Sequence, residues 1–424
     1  VQVRSNKKTK KIMDLRLYQV ELSDKGTEIL KNKKFVYYSI EPRCGKTLIA
    51  LQTAQNIGAS NVLFITKIKA FSSIENDYTD MEYDFKLTII NKESIHKLDS
   101  YNFDLIIYDE AHGLFSTYPK PNNFYKFAKA NFSKIPAILL SGTPAVESYS
   151  QIFHQFNFSI HSPFKEYINF YKWSKDYVIV TQKKLGYGLI NDYSNARINL
   201  ILNKINPFMI KFTQAESGFT SKVNKQVLYC DMKPVVSSLI KKLLTDNIIE
   251  GKDEVIIADT SVKLQQKIHQ LGSGTIKFES GNSKTIDNSK AVFIKEHFKD
   301  KKLAIIYYFK EELKMLQEVF SDSVTTDLNE FNTTDKHYIG QQVSSCEGIN
   351  LSKADCLVFL NIGFSGKNFV QAIDRLTTKE RTENNVYFIL SKDGIDKEVF
   401  NRVSKKETFN NSHFKRYARE QTTN

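Results

Sequence analysis

Five strand-like runs, Phe35–Ile40, Asn61–Thr66, Lys86–Asn91, Phe103–Tyr108 and Ile135–Leu140, recur between Leu15 and Ser141, with helix-patterned stretches between them. This alternation constrains the fold more than any other feature of the chain. Helices between successive short buried strands make a parallel sheet covered on both faces. One intervening stretch, Thr47–Ile57, sets Leu48, Ile49, Leu51, Ala54 and Ile57 at helical spacing, with Gly58 following as a C-cap. In such folds ligands bind in the loops beyond the carboxyl ends of the strands.

Those loops carry the residues with chemistry to offer. The first run leads into Glu41-Pro-Arg-Cys-Gly-Lys-Thr47, and the fourth into Asp109-Glu-Ala-His112. A Gly-Lys-Thr between strand and helix cradles phosphate oxygens with backbone N–H groups and a helix N-terminus. Arg43 and Gly45 line that loop, Lys46 sets its ammonium against the β- and γ-phosphates, and the Thr47 hydroxyl ligates Mg²⁺. Asp109, presented from a strand that reads as buried, holds Mg²⁺ directly or through water, while Glu110 orients and deprotonates the attacking water. The full G-x-x-x-x-G-K-[ST] pattern is incomplete, because Ile40 stands where its first glycine belongs. Loop and acidic pair together point to ATP hydrolysis far more strongly than either alone.

A length of 424 residues predicts two to three domains. The net charge of +13 bears on partners, and suits a polyanion such as nucleic acid, although lysine-rich composition alone produces the same excess. Four cysteines without a C-x-x-C pair suggest neither a zinc site nor a disulfide framework, which fits a reducing, cytoplasmic setting. No apolar run approaches the roughly 18 residues of a membrane span. Eight histidines show no H-E-x-x-H pair, and Ser141 lacks a G-x-S-x-G context.

Beyond Ser150 the character changes. Phe153, Phe156, Phe164, Tyr167, Phe170, Tyr171 and Trp173 crowd a segment read as helical, where an aromatic stripe signals helix packing more often than base stacking. A second α/β alternation follows, with strand candidates Leu303–Phe309, Tyr338–Val343, Asp355–Leu360 and Val386–Leu390. The expected organisation is a nucleotide-binding lobe over 1–150, a helical aromatic-rich insertion and linker over 151–245, and a second α/β lobe over 246–424.

Gly45-Lys-Thr47, Asp109-Glu-Ala-His112 and Ser141-Gly-Thr-Pro144, in this order, resemble motifs I, II and III of superfamily-two helicases and translocases. The similarity is strongest to the Swi/Snf-like branch. Leu15-Arg-Leu-Tyr-Gln19 resembles its Leu-Arg-Pro-Tyr-Gln, Val62–Lys67 sits at motif Ia, and Asn206–Lys211 resembles its Pro-Phe-Met-Leu-Arg segment. Ala304–Phe309 resembles motif IV, Ser344–Leu351 motif V and Gln371-Ala-Ile-Asp-Arg375 motif VI. The resemblance implies two tandem RecA-like parallel-sheet lobes that hydrolyse ATP with Mg²⁺ in the cleft between them while moving along duplex or branched DNA. It assigns adenine reading to Gln19, an arginine finger to Arg375, nucleotide contacts to Gly348 and Gln371, and nucleic-acid contact or coupling to Lys67, Lys69, His112, Thr143 and Asn350.

The pattern is broken in places. Arg43 replaces a common glycine, Asp374 the usual glycine of motif VI, and Thr378 its second arginine. Two other readings therefore stay open: a nucleotide-gated nucleic-acid-binding or interaction subunit with little or no turnover, and an RNA helicase.

Overall fold

The structure is a computed structural model that describes residues 14–145, 148–185, 188–218, 222–342, 351–366, 369, 372–373, 383–392, 394–405 and 407–423. The chain divides into two compact units, Val1–Gly218 and Phe219–Asn424.

In the first unit β1 (Phe35–Ile40), β2 (Asn61–Ile65), β3 (Lys86–Ile90), β4 (Leu105–Tyr108) and β5 (Ala137–Ser141) form a parallel sheet. A hairpin of β6 (Thr181–Leu185) and β7 (Gly188–Asp192) stands outside it, and β8 (Met209–Phe212) closes it beside β1, giving the order β3-β2-β4-β5-β1-β8. Period-2 alternation sends successive side chains to opposite faces. Val36, Tyr38 and Ile40 pack on α1 (Leu17–Lys33), α2 (Lys46–Asn56) and α3 (Phe71–Asp80). Phe35 and Tyr37 face the other way, onto α4 (Ala111–Phe115), α5 (Asn123–Asn131), α6 (Ile152–Asn157) and α7 (Phe170–Tyr177).

The aromatic segment supplies this second layer. Phe153, Phe156, Phe164, Phe170 and Trp173 are fully buried or nearly so, and Phe156 stacks on Tyr37 with ring centroids 5.6 Å apart. These rings serve as packing.

The second unit repeats the plan. Its parallel sheet contains β9 (Lys222–Cys230), β14 (Leu303–Tyr307), β15 (Val324–Thr325), β16 (His337–Gln341), β17 (Cys356–Phe359) and β18 (Glu383–Ser391), in the order β15-β16-β14-β17-β18-β9. Two short antiparallel pairs, β10 (Ile248–Glu250) with β11 (Val255–Ile257) and β12 (Thr275–Lys277) with β13 (Ser283–Thr285), lie beside it. Residues 151–245 do not stand apart as a linker: their aromatic part belongs to the first unit and β9 to the second sheet, because each completes a core that is otherwise open. Among the described residues no helix is long and apolar enough to cross a membrane.

Candidate functional site

The site sits in the first unit, at the carboxyl ends of β1, β2, β4 and β5. After Ile40 the chain turns through Glu41–Gly45 and enters α2 at Lys46. Gly45 caps that helix at φ 75°, ψ 37°, a left-handed conformation natural to glycine. A β-carbon here would lie 2.0 Å from Gln19 Nε2. The buried Gln19 is fixed in turn, its Oε1 accepting the Arg16 N–H at 2.9 Å, so its amide is packed against the phosphate loop. Tyr18 beside it stacks on Phe212 at 5.0 Å. Arg43 adopts φ 65°, a left-handed conformation open to glycine that costs another residue about 1–2 kcal/mol.

The outer side of the loop is braced by the end of β8 and the residues that follow it. Glu41 N–H donates to Phe212 O at 3.0 Å, Gln214 N–H to the Glu41 carboxylate at 2.8 Å, and Gln214 Nε2 to Pro42 O at 2.9 Å. Lys46 Nζ donates to Ile40 O at 3.2 Å, which folds its side chain back over the loop.

Asp109 follows β4, one strand removed from β1 across β5. Thr66 Oγ1 donates to its carboxylate at 2.7 Å and the Glu110 N–H at 3.0 Å. The residue keeps a partly open edge, yet burial of its carboxyl, with the neighbouring Glu110 charge, pushes its pKa up to about 6, against the Thr66 hydrogen bond and the Lys46 ammonium. A carboxylate so placed is short of positive charge, which is the condition that a divalent cation relieves. Thr47, in the first turn of α2, offers a hydroxyl at the same end of the sheet. The donor set thus fits a magnesium ion shared with phosphate oxygens, and among the described residues no group of three or more His, Cys, Asp or Glu competes as a metal site.

Glu110 adopts φ 47° and ψ 48°, which turns the chain into α4. His112, buried two residues on, brings Nδ1 to 3.3 Å from Glu110 Oε2 and 2.6 Å from Ser141 Oγ. Ser141 Oγ also accepts the Thr143 N–H at 3.1 Å. Motifs II and III are therefore one hydrogen-bonded unit. Lys67 and Lys69 lie exposed just beyond β2, next to the Thr66 that touches Asp109.

Gln19, Arg43, Gly45, Lys46, Thr47, Asp109, Glu110, His112 and Thr143 are thus gathered in one region, with Lys67 and Lys69 at its rim. Gly348, Asn350, Gln371 and Arg375, with Asp374 and Thr378, lie outside the described residues. The contacts of Thr66 with Asp109, of Ser141 with His112 and of Gln214 with the phosphate loop are what reading along the chain passed over. Thr66 is found once β2 is paired beside β4, since the partners Ile65 and Tyr108 place it next to Asp109.

A phosphate loop at the head of a parallel sheet, with an acidic pair two strands away, defines a nucleotide-binding ATPase domain of the α/β class. The family follows from the sequence as a whole. The model of the SNF2-related domain matches residues 41–282, more than half of the chain, and the chain belongs to that family. Similar solved structures include the Sulfolobus solfataricus SWI2/SNF2 ATPase core in complex with dsDNA, at 13% identity and a TM-score of 0.43 over 94% of this chain and 92% of that one. The ATPase core domain from the same organism gives 14% and 0.41 over 94% and 90%. The Pyrococcus furiosus Hef helicase domain gives 14% and 0.48 over 91% and 97%. No curated protein matches the chain by sequence.

Proposed function

We propose that this chain is an ATP-dependent DNA translocase that hydrolyses ATP with Mg²⁺ and uses the cycle to move along or remodel duplex or branched DNA. The observation that carries the reading is the grouping of Lys46, Asp109 and Glu110 at one end of one sheet, with Glu110 tied through His112 to the motif III loop. The Gly45 turn and the α2 N-terminus receive the β- and γ-phosphates, Lys46 neutralises them, and Gln19 reads the base. Thr47 and Asp109 hold magnesium, which supplies Lewis-acid stabilisation of charge on the phosphoryl oxygens. Glu110 takes a proton from the attacking water. Arg375 is the finger, and Gly348 and Gln371 contact nucleotide, by their motif positions.

DNA as partner rests on SNF2-related membership and on the net charge of +13. Lys67 and Lys69 contact phosphates, Asn350 serves nucleic-acid contact or coupling by its motif position, and Thr66 gives the Lys67 end of β2 a direct line to Asp109.

The test is ATP hydrolysis by the purified chain with and without duplex, forked, four-way and single-stranded DNA, and duplex RNA. Hydrolysis rises with DNA, falls at least about a hundredfold in Glu110→Gln, the loss expected of a missing general base, and is lost in Lys46→Ala, which removes the charge set against the phosphates. Equal wild-type rates with and without nucleic acid refute the motor. Tight ATP binding without turnover selects the nucleotide-gated subunit, and preferential stimulation by RNA an RNA helicase.

A further inference from the structure

The phosphate loop holds one residue in a conformation that its side chain does not favour, and the contact that keeps it there comes from outside the loop. In Glu41-Pro42-Arg43-Cys44 the second residue is proline and the third, Arg43, adopts φ 65°. That is the pattern of a type II turn, whose third position suits glycine. An arginine at that position favours the type I form, which differs by a half-turn of the peptide between the second and third residues. Such a flip reverses the Pro42 carbonyl and takes Arg43 to negative φ.

The Pro42 carbonyl is held against this. It accepts from Gln214 Nε2 at 2.9 Å and from the Cys44 thiol at 3.7 Å, of which the amide is the stronger donor. Gln214 is fixed in turn: its N–H donates to the Glu41 carboxylate at 2.8 Å, and its own carbonyl accepts the Ser217 hydroxyl at 2.7 Å. The Pro42 ring cannot follow a rotating carbonyl, because a β-carbon on Gly142 would already lie 3.2 Å from Pro42 Cδ. The Pro42–Arg43 peptide is trans, so with its oxygen on Gln214 the Arg43 N–H points the other way, away from the segment after β8.

We infer that Gln214 is a positioning residue for nucleotide binding: its side-chain amide holds the Pro42–Arg43 peptide in the orientation that receives phosphate, and so makes a phosphate loop with arginine at 43 workable. This rests on the reading of Glu41–Thr47 as the nucleotide site. Without the amide the loop divides between the two turn forms, and affinity falls with the fraction that remains competent. With glycine at 43 the positive φ carries no penalty, and the amide has little left to supply.

The experiment is titration of a fluorescent ADP analogue into the full chain as wild type, Gln214→Met, Arg43→Gly and the double variant. Methionine keeps the length of the side chain and removes the donor, and residue 214 is half-buried, outside the core. Gln214→Met weakens binding about five- to tenfold, the effect of one lost hydrogen bond on a preorganised loop. In the Arg43→Gly background the same substitution changes affinity by less than about twofold, a coupling that a merely structural brace does not produce. Crystal structures of wild type and Gln214→Met without nucleotide show the Pro42 carbonyl on residue 214 in the first and reversed in the second. Unchanged affinity in Gln214→Met, equal losses in both backgrounds, or an unreversed carbonyl in Gln214→Met overturns the inference. A wild type that binds nucleotide without hydrolysing it overturns the proposed motor and not the role of Gln214; one that binds none overturns both.

Discussion

Gly45 shows how much one side chain decides. Its φ of 75° and the 2.0 Å approach of Gln19 Nε2 leave no room for a methyl group. Gly45→Ala must either displace Gln19 or leave the left-handed region, at about 1–2 kcal/mol for the backbone alone. A loss of roughly tenfold or more in nucleotide affinity is expected, read by titration of a fluorescent ADP analogue, with the melting temperature of the chain little changed; unaltered affinity would show that the nucleotide does not use this loop. Lys46, Thr47, Asp109 and Glu110 were legible because their neighbours in sequence are their neighbours in space. The contacts of Thr66 with Asp109 and of Ser141 with His112 were not, since they join residues far apart in sequence on different strands, and no spacing along the chain marks them. Arg43 was legible in an unusual sense: the missing glycine announced a strained position, and the residue does adopt φ 65°.

Among the elements, interior strands were readable, whereas of the edge strands only β3 was. The run Phe35–Ile40 is β1 itself, whereas β9 alternates exposed and half-buried residues at the border of its sheet and carries no continuous apolar signal. The run expected from Ile135 starts at Ala137, after Pro136, which has no N–H to give to a ladder. Helix residues Ser289–His297 hide another illegible feature: Lys290, fully buried, donates to Asp396 at 2.6 Å, while the same carboxylate accepts the Ser391 N–H at 2.8 Å and its hydroxyl at 3.0 Å. A buried lysine reads as a surface charge in sequence. Removing one member of such a pair strands the other in the interior, so Lys290→Met should destabilise the second unit by about 3–5 kcal/mol. Urea unfolding of the full chain measures this, and a change below about 1 kcal/mol would mean that the Ser391 contacts satisfy Asp396 without the lysine.

At the scale of the molecule, each unit has a parallel sheet with a core on both faces, and the first closes on residues of its own from β1 to β8. The two-lobe plan was legible from the repeated alternation; the boundary was not, because aromatic composition changes near Ser150 whereas the packing that uses those aromatics continues to Gly218. Residues 1–218 produced alone should therefore unfold in one cooperative transition and still bind nucleotide. A broad, non-cooperative melt of that fragment would show that its core is incomplete. The lone tryptophan of the chain follows the same division. Trp173 is wholly buried against Phe153, Phe164, Phe170 and Tyr177, and its indole N–H has no acceptor among the described residues. Selective excitation of that indole gives a blue-shifted emission that moves to the red when the first unit opens and is silent about the second, so the intact chain carries a built-in optical label for half of itself.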